Sequence, residues 1–335
     1  MATILVTGSA GFIGFHVAQR LVSEGHRVVG VDNLSPYFFP SLKAERERRL
    51  RELDGFISVR ADITDLAALT RVFDEYQPEY VVNLAAQAGV RFSIKNPQLY
   101  EKTNIAGFLN VLESCRRFRV SRLVYASSSS VYGGLHHLPF RETDRVDSPI
   151  SLYAATKLAN EAMAHCYSHL FGFTALGLRY FTVYGPFGRP EMAMWLFAEK
   201  ILAGEPIPVF NEGRMRRDFT YIDDIVAGTI ALLFAEQVTG HAVFNIGAGH
   251  CEDLEEMIGL LEDSLGRRAT RQPLPMQPGD VPASWADVSR LQDATGYCPV
   301  VTIREGVPRF ARWYLDHPDI AASVRRERLA SEEQP

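Results

Sequence analysis

Within its first 32 residues the chain sets out a short apolar strand, Thr3 to Thr7, a glycine-spaced turn, Gly8-Ser9-Ala10-Gly11-Phe12-Ile13-Gly14, a helical segment closed by Gly25, and a second strand, Arg27 to Asp32, ending on an acid. Strand, tight turn, helix and returning strand make a crossover unit, and this order constrains the fold more than any other stretch. Glycines at Gly8, Gly11 and Gly14 let the backbone turn sharply and approach a pyrophosphate, whose charge a helix N-terminus meets. Asp32 is placed to accept hydrogen bonds from the ribose hydroxyls of an adenosine and to repel a 2'-phosphate. The pattern therefore predicts an NAD site rather than an NADP site, with Phe12, Ile13 and Asn33 beside the cofactor.

The alternation continues. A loop from Asn33 to Pro40 precedes a charged helix, Leu42 to Leu53, whose run from Lys43 to Glu52 reads as a solvated face. A strand from Ile57 to Arg60 leads to Asp62 and Ile63, with Asp62 placed to accept from an adenine amino group. After a helix from Asp65 to Tyr76, the strand from Tyr80 ends in Asn83-Leu84-Ala85-Ala86-Gln87-Ala88, where small residues let a cofactor pass close to the backbone. Gln87 and Arg91 are expected at the mouth of the site. A long helix from Pro97 to Phe118, with Asn96 as its N-cap, precedes a strand from Arg122 to Ala126. A helix from Ser151 to Phe171 and a strand from Thr174 to Arg179 follow.

Repeated βα units predict an α/β fold, a Rossmann-type doubly wound parallel sheet, with ligands at the carboxyl ends of its strands. Beyond Tyr180 the pattern is irregular and suggests a smaller mixed α/β C-terminal lobe. The expected division is a dinucleotide-binding domain over 1–180 plus about 221–247, a second lobe over 181–220 and 248–320, and a frayed tail over 324–335.

A chain of 335 residues with 47% hydrophobic and 22% charged residues has a sizeable core, and a net charge of -5 gives no general attraction to nucleic acid or to an anionic membrane. Cys115, Cys166, Cys251 and Cys298 are scattered and read as buried or idle thiols. His136 and His137 read as surface residues of a loop, so no metal site is expected. The longest apolar run, Ile225 to Ala235, is too short to cross a bilayer. With no basic leader at the N-terminus, the cytoplasm is the expected location.

Tyr153 and Lys157 stand four apart on a predicted helix and project from one face. A cation near a phenol makes the phenolate easier to form, so the pair can serve as a base near neutral pH. The same spacing also fits an ordinary amphipathic turn. Likewise Ser127-Ser128-Ser129-Ser130, after a central strand, is either a polar loop or part of a site.

Gly8, Gly11, Gly14, Asp32, Asn104-Ile105-Ala106-Gly107, Ser128, Tyr153 and Lys157, taken in order, resemble the extended short-chain dehydrogenase/reductase superfamily, particularly its nucleotide-sugar epimerases and dehydratases. The resemblance implies that Ser128 bonds the reacting hydroxyl and that Tyr153 is the base. It implies that Lys157 holds the nicotinamide ribose and lowers the tyrosine pKa, with the positive nicotinamide ring acting in the same direction. It assigns Arg217, in Arg216-Arg217-Asp218-Phe219-Thr220-Tyr221, to the diphosphate of a sugar nucleotide. Members that eliminate water or lose carbon dioxide carry an acid where this chain has Ser129 and Ser130, so epimerisation is the expected outcome.

The stretch from Arg179 to Pro190 is similar to that of UDP-glucuronate 4-epimerases, whereas UDP-galactose 4-epimerases usually have asparagine at the position of Thr182. Ser129, Ser130, Thr182 and Arg189 then suit a sugar carboxylate, although the hydroxyls would also serve a neutral hydroxymethyl group. The expected activity interconverts UDP-glucuronate and UDP-galacturonate through a 4-keto sugar with tightly bound NAD. Its rivals are a UDP-glucose/galactose 4-epimerase, a decarboxylase or dehydratase of the same fold, and a non-catalytic dinucleotide sensor. A homodimer packed through the helices near 97–118 and 151–171 is also implied.

Overall fold

The computed structural model describes residues 1–37, 39–135, 137–276 and 281–332. His136 therefore lies outside the described residues, while His137 is exposed and sits 3.0 Å from Asp144. Seven strands form the main sheet: β1 (Thr3–Thr7), β2 (Arg27–Asp32), β3 (Phe56–Arg60), β4 (Tyr80–Asn83), β5 (Arg122–Ala126), β6 (Thr174–Tyr180) and β7 (His241–Ile246). All are parallel, in the order β7-β6-β5-β4-β1-β2-β3.

The sheet is buried on both faces because successive side chains alternate between two apolar layers. In β1, Ile4 and Val6 enter one core and Leu5 the other. The first core holds α1 (Phe12–Ser23), Leu42 and Leu50 of α2 (Pro40–Arg51), and α6 (Ile222–Leu233). The second holds α3 (Leu66–Tyr76), α4 (Phe108–Arg117) and Ala164 of α5 (Leu152–Phe171). Strand order reverses between β1 and β4, and a crevice opens there at the carboxyl ends.

The helix before α4 is not uniform. Pro97–Tyr100 is α-helical, Glu101–Gly107 is a π-helical turn, and only then does α4 begin. The Asn96 side chain makes no capping hydrogen bond, contrary to the sequence expectation. The π turn redirects Asn104 inward, where its carbonyl oxygen accepts from the Gln87 N–H at 2.8 Å and its amide donates to the Gln87 carbonyl and to Thr156 Oγ1, each at 3.0 Å. One side chain thus joins the loop after β4 to α5.

After β6 the chain leaves the main sheet and returns to it as β7. The intervening and following segments build the second lobe from short pairings: Ile207–Phe210 with Arg271–Leu274, and Arg216–Arg217 between Glu252–Asp253 and Ala283–Ser284. Asp218 fastens this lobe to the sheet. Fully buried, it accepts from Thr220 Oγ1 at 2.7 Å and from the backbone N–H groups of Ala248, Ala286 and Gly249 at 2.6, 3.1 and 3.2 Å. The C-terminal segment, expected to fray from residue 324, is instead helical over Pro318–Glu332 with Val324 buried, and 333–335 lie outside the described residues. Burial explains the difference: Arg328 reaches Glu199 at 3.1 Å and the Pro190 carbonyl at 2.8 Å.

Replacing Asp218 by alanine strands the buried N–H groups of Ala248 and Ala286 and frees that of Gly249, and the expected loss of stability is about 3 kcal/mol, read from the midpoint of urea unfolding at constant m-value.

Candidate active site

A cleft of about 420 Å³ opens at the strand-order reversal. Every cofactor residue expected from the sequence lines it: Gly8, Gly11, Phe12, Ile13, Gly14, Asp32, Asn33, Asp62, Ile63, Leu84, Ala85, Ala86 and Gln87, with Tyr153 and Lys157. Ser128, Ser129, Ser130, Thr182 and Arg189 line the same cleft.

The glycines are there for steric reasons. Gly8 has φ +71, and a Cβ on it would stand 2.7 Å from the Ala85 nitrogen. A Cβ on Gly14 would stand 2.1 Å from the Gly8 carbonyl oxygen. Side chains at either place would drive the turn out of its position, so the end of β1, the loop after β4 and the start of α1 converge only with glycine. Thr7 Oγ1 ties the two strand ends, donating to Asn83 Oδ1 at 2.7 Å and accepting from Ala85 N–H at 3.2 Å.

Asp32 and Asp62 are held for acceptor roles. Asp32 receives the N–H groups of Ala10 at 3.0 Å and Leu34 at 2.8 Å, one on each carboxylate oxygen. Asp62 receives the Thr64 N–H and the Asn33 amide, each at 2.8 Å. Burial pushes Asp62 up, but these hydrogen bonds outweigh it and hold its carboxyl below the ordinary value. Gln87 Oε1 is buried at the cleft without a hydrogen-bond partner among the described residues. The glycine cradle, two hydrogen-bonded carboxyl acceptors and an orphaned carbonyl fit a dinucleotide with ribose hydroxyls and an amide to offer.

The tyrosine and lysine do lie on one side of α5, but the electrostatics differ from the expectation. The Lys157 ammonium donates to the Ala126 carbonyl at 2.8 Å, and burial pulls its pKa down to about 8. Burial raises the Tyr153 phenol above its ordinary value, while a hydrogen bond with Ser128 and the positive field of Arg189 act in the opposite direction. The cation pulling on the phenol in this arrangement is therefore Arg189, with Lys157 turned to a carbonyl at the end of β5.

Arg189 is itself engaged. Its Nε and one terminal nitrogen meet Glu191 Oε1 at 2.6 and 2.5 Å, and Glu191 also lines the cleft. Glu191 thus adds a carboxylate to the cleft that the sequence pattern did not mark, with Oε1 held by Arg189 and Oε2 buried without a hydrogen-bond partner among the described residues. Behind the serine loop, Ser127 Oγ donates to Glu161 at 2.6 Å, and Glu161 receives Arg179 on both oxygens at 2.9 and 2.7 Å.

Two expected residues are not among those lining the cleft. Arg91 holds its guanidinium 5.8 Å from the Phe210 ring centre, and Arg217 donates to the carbonyls of Arg216 and Pro282 at 2.9 and 3.3 Å. Conversely, Tyr37, Lys43, Arg46, Thr103 and Glu191 line it without having been singled out. Lys43 and Arg46 fell inside the charged run read as a solvated face. The usable signal was the stripe at four-residue spacing, Leu42, Arg46 and Leu50, all buried.

Lysine buried with a depressed pKa costs stability while it is charged. The unfolded state holds the proton more tightly, so the cost is full below about pH 8 and fades as pH rises toward the unfolded value. Lys157→Met is expected to stabilise protein freed of dinucleotide by ~2 kcal/mol at pH 7 after allowance for the lost hydrogen bond, with the gain shrinking by pH 10, as compared by paired denaturant titrations.

The model of the NAD dependent epimerase/dehydratase family matches residues 4–247. A probable UDP-glucuronate 4-epimerase of Rhizobium meliloti is 44% identical over 92% of this chain and 96% of its own length. A UDP-glucuronate 4-epimerase of Thermodesulfobacterium geofontis is 41% identical over 97% of this chain and all of its own. Among solved structures, the UDP-glucuronic acid 4-epimerase of Bacillus cereus in complex with UDP-glucuronic acid and NAD superposes with a TM-score of 0.87 at 34% identity, covering 94% of this chain and 99% of that one. With the glycine cradle, the paired acceptors and the Ser128, Tyr153 and Lys157 constellation in one cleft, the chain belongs to the NAD dependent epimerase/dehydratase family.

Proposed function

We propose that this protein is an NAD-dependent UDP-glucuronate 4-epimerase, interconverting UDP-glucuronate and UDP-galacturonate. The observation that carries the reading is that Ser129, Ser130 and Thr182 line the same cleft as Ser128 and Tyr153. Three hydroxyls in the cleft that holds the base suit a carboxylate on C6. The relatives named above, matched along nearly their whole length, support the same substrate.

Bound NAD supplies a hydride acceptor at C4 that returns what it takes, so the reaction is a net isomerisation. Tyr153 takes the proton of the C4 hydroxyl and later gives it back, with Ser128 bonded to the same oxygen. Lys157, fixed by the Ala126 carbonyl, presents its ammonium to the ribose side of the cleft.

Oxidation at C4 of a uronic acid yields a β-keto acid. It loses carbon dioxide readily when the C5–C6 bond stands perpendicular to the carbonyl plane, and hydrogen bonds from Ser129, Ser130 and Thr182 to the carboxylate oppose that alignment. We assign Arg217 to the diphosphate. To meet it, the guanidinium must turn away from the Arg216 and Pro282 carbonyls.

We further propose a homodimer packed through α4 and α5, supported by the apolar residues Leu109, Leu152, Leu170 and Phe171 exposed there. A cytoplasmic location suits the four unpaired cysteines, of which Cys166 is exposed on α5.

Incubation with UDP-glucuronate and NAD is expected to yield UDP-galacturonate, whereas turnover of UDP-glucose alone would reverse the choice of sugar. Tyr153→Phe should lower the rate at least ~10³-fold while the protein still retains NAD; an active variant would remove Tyr153 as the base. Ser129→Ala with Thr182→Ala should release a UDP-pentose alongside the epimer, detected by mass spectrometry. For the dimer, sedimentation should give twice the chain mass of 37.5 kDa, and Leu170→Glu should return a monomer.

A further inference from the structure

Arg46 lies on the buried stripe of α2, and its guanidinium reaches two turns that are 177 residues apart in the chain, measured from Ala10 to Phe187. One terminal nitrogen donates to the Ala10 carbonyl, within the glycine turn, at 3.0 Å. The other donates to the carbonyls of Phe187 and Gly188 at 2.6 and 3.2 Å. Gly188 is the immediate neighbour of Arg189, the cation of the sugar wall. A planar fork with donors on both sides suits such a bridge, whereas a lysine offers one compact ammonium.

Its charge is poorly offset. Among the described residues its hydrogen bonds go to carbonyls and its Nε is buried without a hydrogen-bond partner, while Glu191 and Asp32 favour the charge from a distance and Arg189 opposes it. A buried cation held this way is costly unless an anion completes it. Arg46 lines the same cleft as Gly8 and Gly11, where the cradle fits a pyrophosphate.

Two further contacts fasten the same turn to the helices framing the cradle. His16 of α1 donates from Nε2 to the Pro186 carbonyl at 2.9 Å; burial holds that ring neutral, with its pKa down at about 4. The Arg49 guanidinium of α2 lies 4.9 Å from the Phe187 ring centre. The turn carrying Arg189 is thus attached to the dinucleotide side of the molecule.

We propose that Arg46 is a positioning residue that couples the dinucleotide cradle to the sugar site, setting the glycine turn and the Phe187-Gly188 turn in one register. The inference rests on the sugar-nucleotide reading above. Such coupling is reciprocal: an occupied cradle orders the turn that presents Arg189, and a sugar nucleotide held by Arg189 retains the dinucleotide.

The test uses the purified holoenzyme and its Arg46→Lys variant, with the rate of NAD release measured by dialysis with and without UDP-glucuronate. In the natural protein the sugar nucleotide should slow release by about fivefold or more; the variant should release NAD about tenfold faster, with the slowing reduced to less than about twofold. With excess NAD, its KM for UDP-glucuronate should rise by a larger factor than its kcat falls. A folded variant that keeps both the natural release rate and the natural slowing overturns the proposal.

Hydrogen exchange on the natural protein decides the matter independently of any variant. Adding NAD alone to stripped protein should slow exchange over residues 185–189, and unchanged exchange there overturns the coupling. Failure of UDP-glucuronate to bind the natural protein would instead overturn the choice of substrate, leaving the exchange result to judge Arg46.

Discussion

The approach of the Gly8 backbone to the backbone of Ala85, too close for any side chain, is the constraint from which the site follows. It sets the end of β1 against the loop after β4 and lets α1 begin at the point where strand order reverses. Thr7 holds the gap at a fixed width, Asp32 holds the turn from β2, and Asn104 holds the far side of the same loop against α5. The helix carrying Tyr153 and Lys157 is therefore located, through Asn104 and Thr156, by the backbone that frames the cofactor cradle. Base and cradle are parts of one hydrogen-bonded assembly.

Much of this was legible because it is local. The strand, glycine turn, helix and acid occupy 32 consecutive residues, and period-two burial on both faces of the sheet leaves continuous apolar runs such as Ile4 to Val6. The serine loop and the Tyr153 helix were legible for the same reason, each following a strand that the apolar pattern marks. The assignment of about 221–247 to the dinucleotide-binding domain anticipated the segment that holds α6 and strand β7.

Contacts between distant segments were not legible. A charged helix shows its composition, but the burial of Arg46 depends on the Phe187-Gly188 turn, far along the chain. Whether Arg217 faces a cleft or the carbonyls of its own small sheet depends on how three two-residue strands pair, and pairs that short leave little periodicity to read. The π-helical turn at 101–107 changes one residue's direction without changing the apolar pattern. Asn96 likewise has the composition of a cap but not its geometry, because the proline after it already fixes the entry. Lys157 illustrates a subtler limit: spacing gives the face of a helix, not the partner its ammonium selects, and the carbonyl of Ala126 won over the phenol.

The departure of the chain after Tyr180 and its return at His241 bears on how the molecule is made. Strand β6, buried along its whole length, gains its second neighbour only when β7 is in place. A nascent chain emerging from the ribosome must therefore carry an open, apolar strand edge through the synthesis of some sixty intervening residues, and an open edge is a template for pairing with other chains. The interleaving that joins the two lobes thus delays closure of the sheet, and the interval before β7 arrives is when this protein is most exposed to aggregation or most dependent on a chaperone.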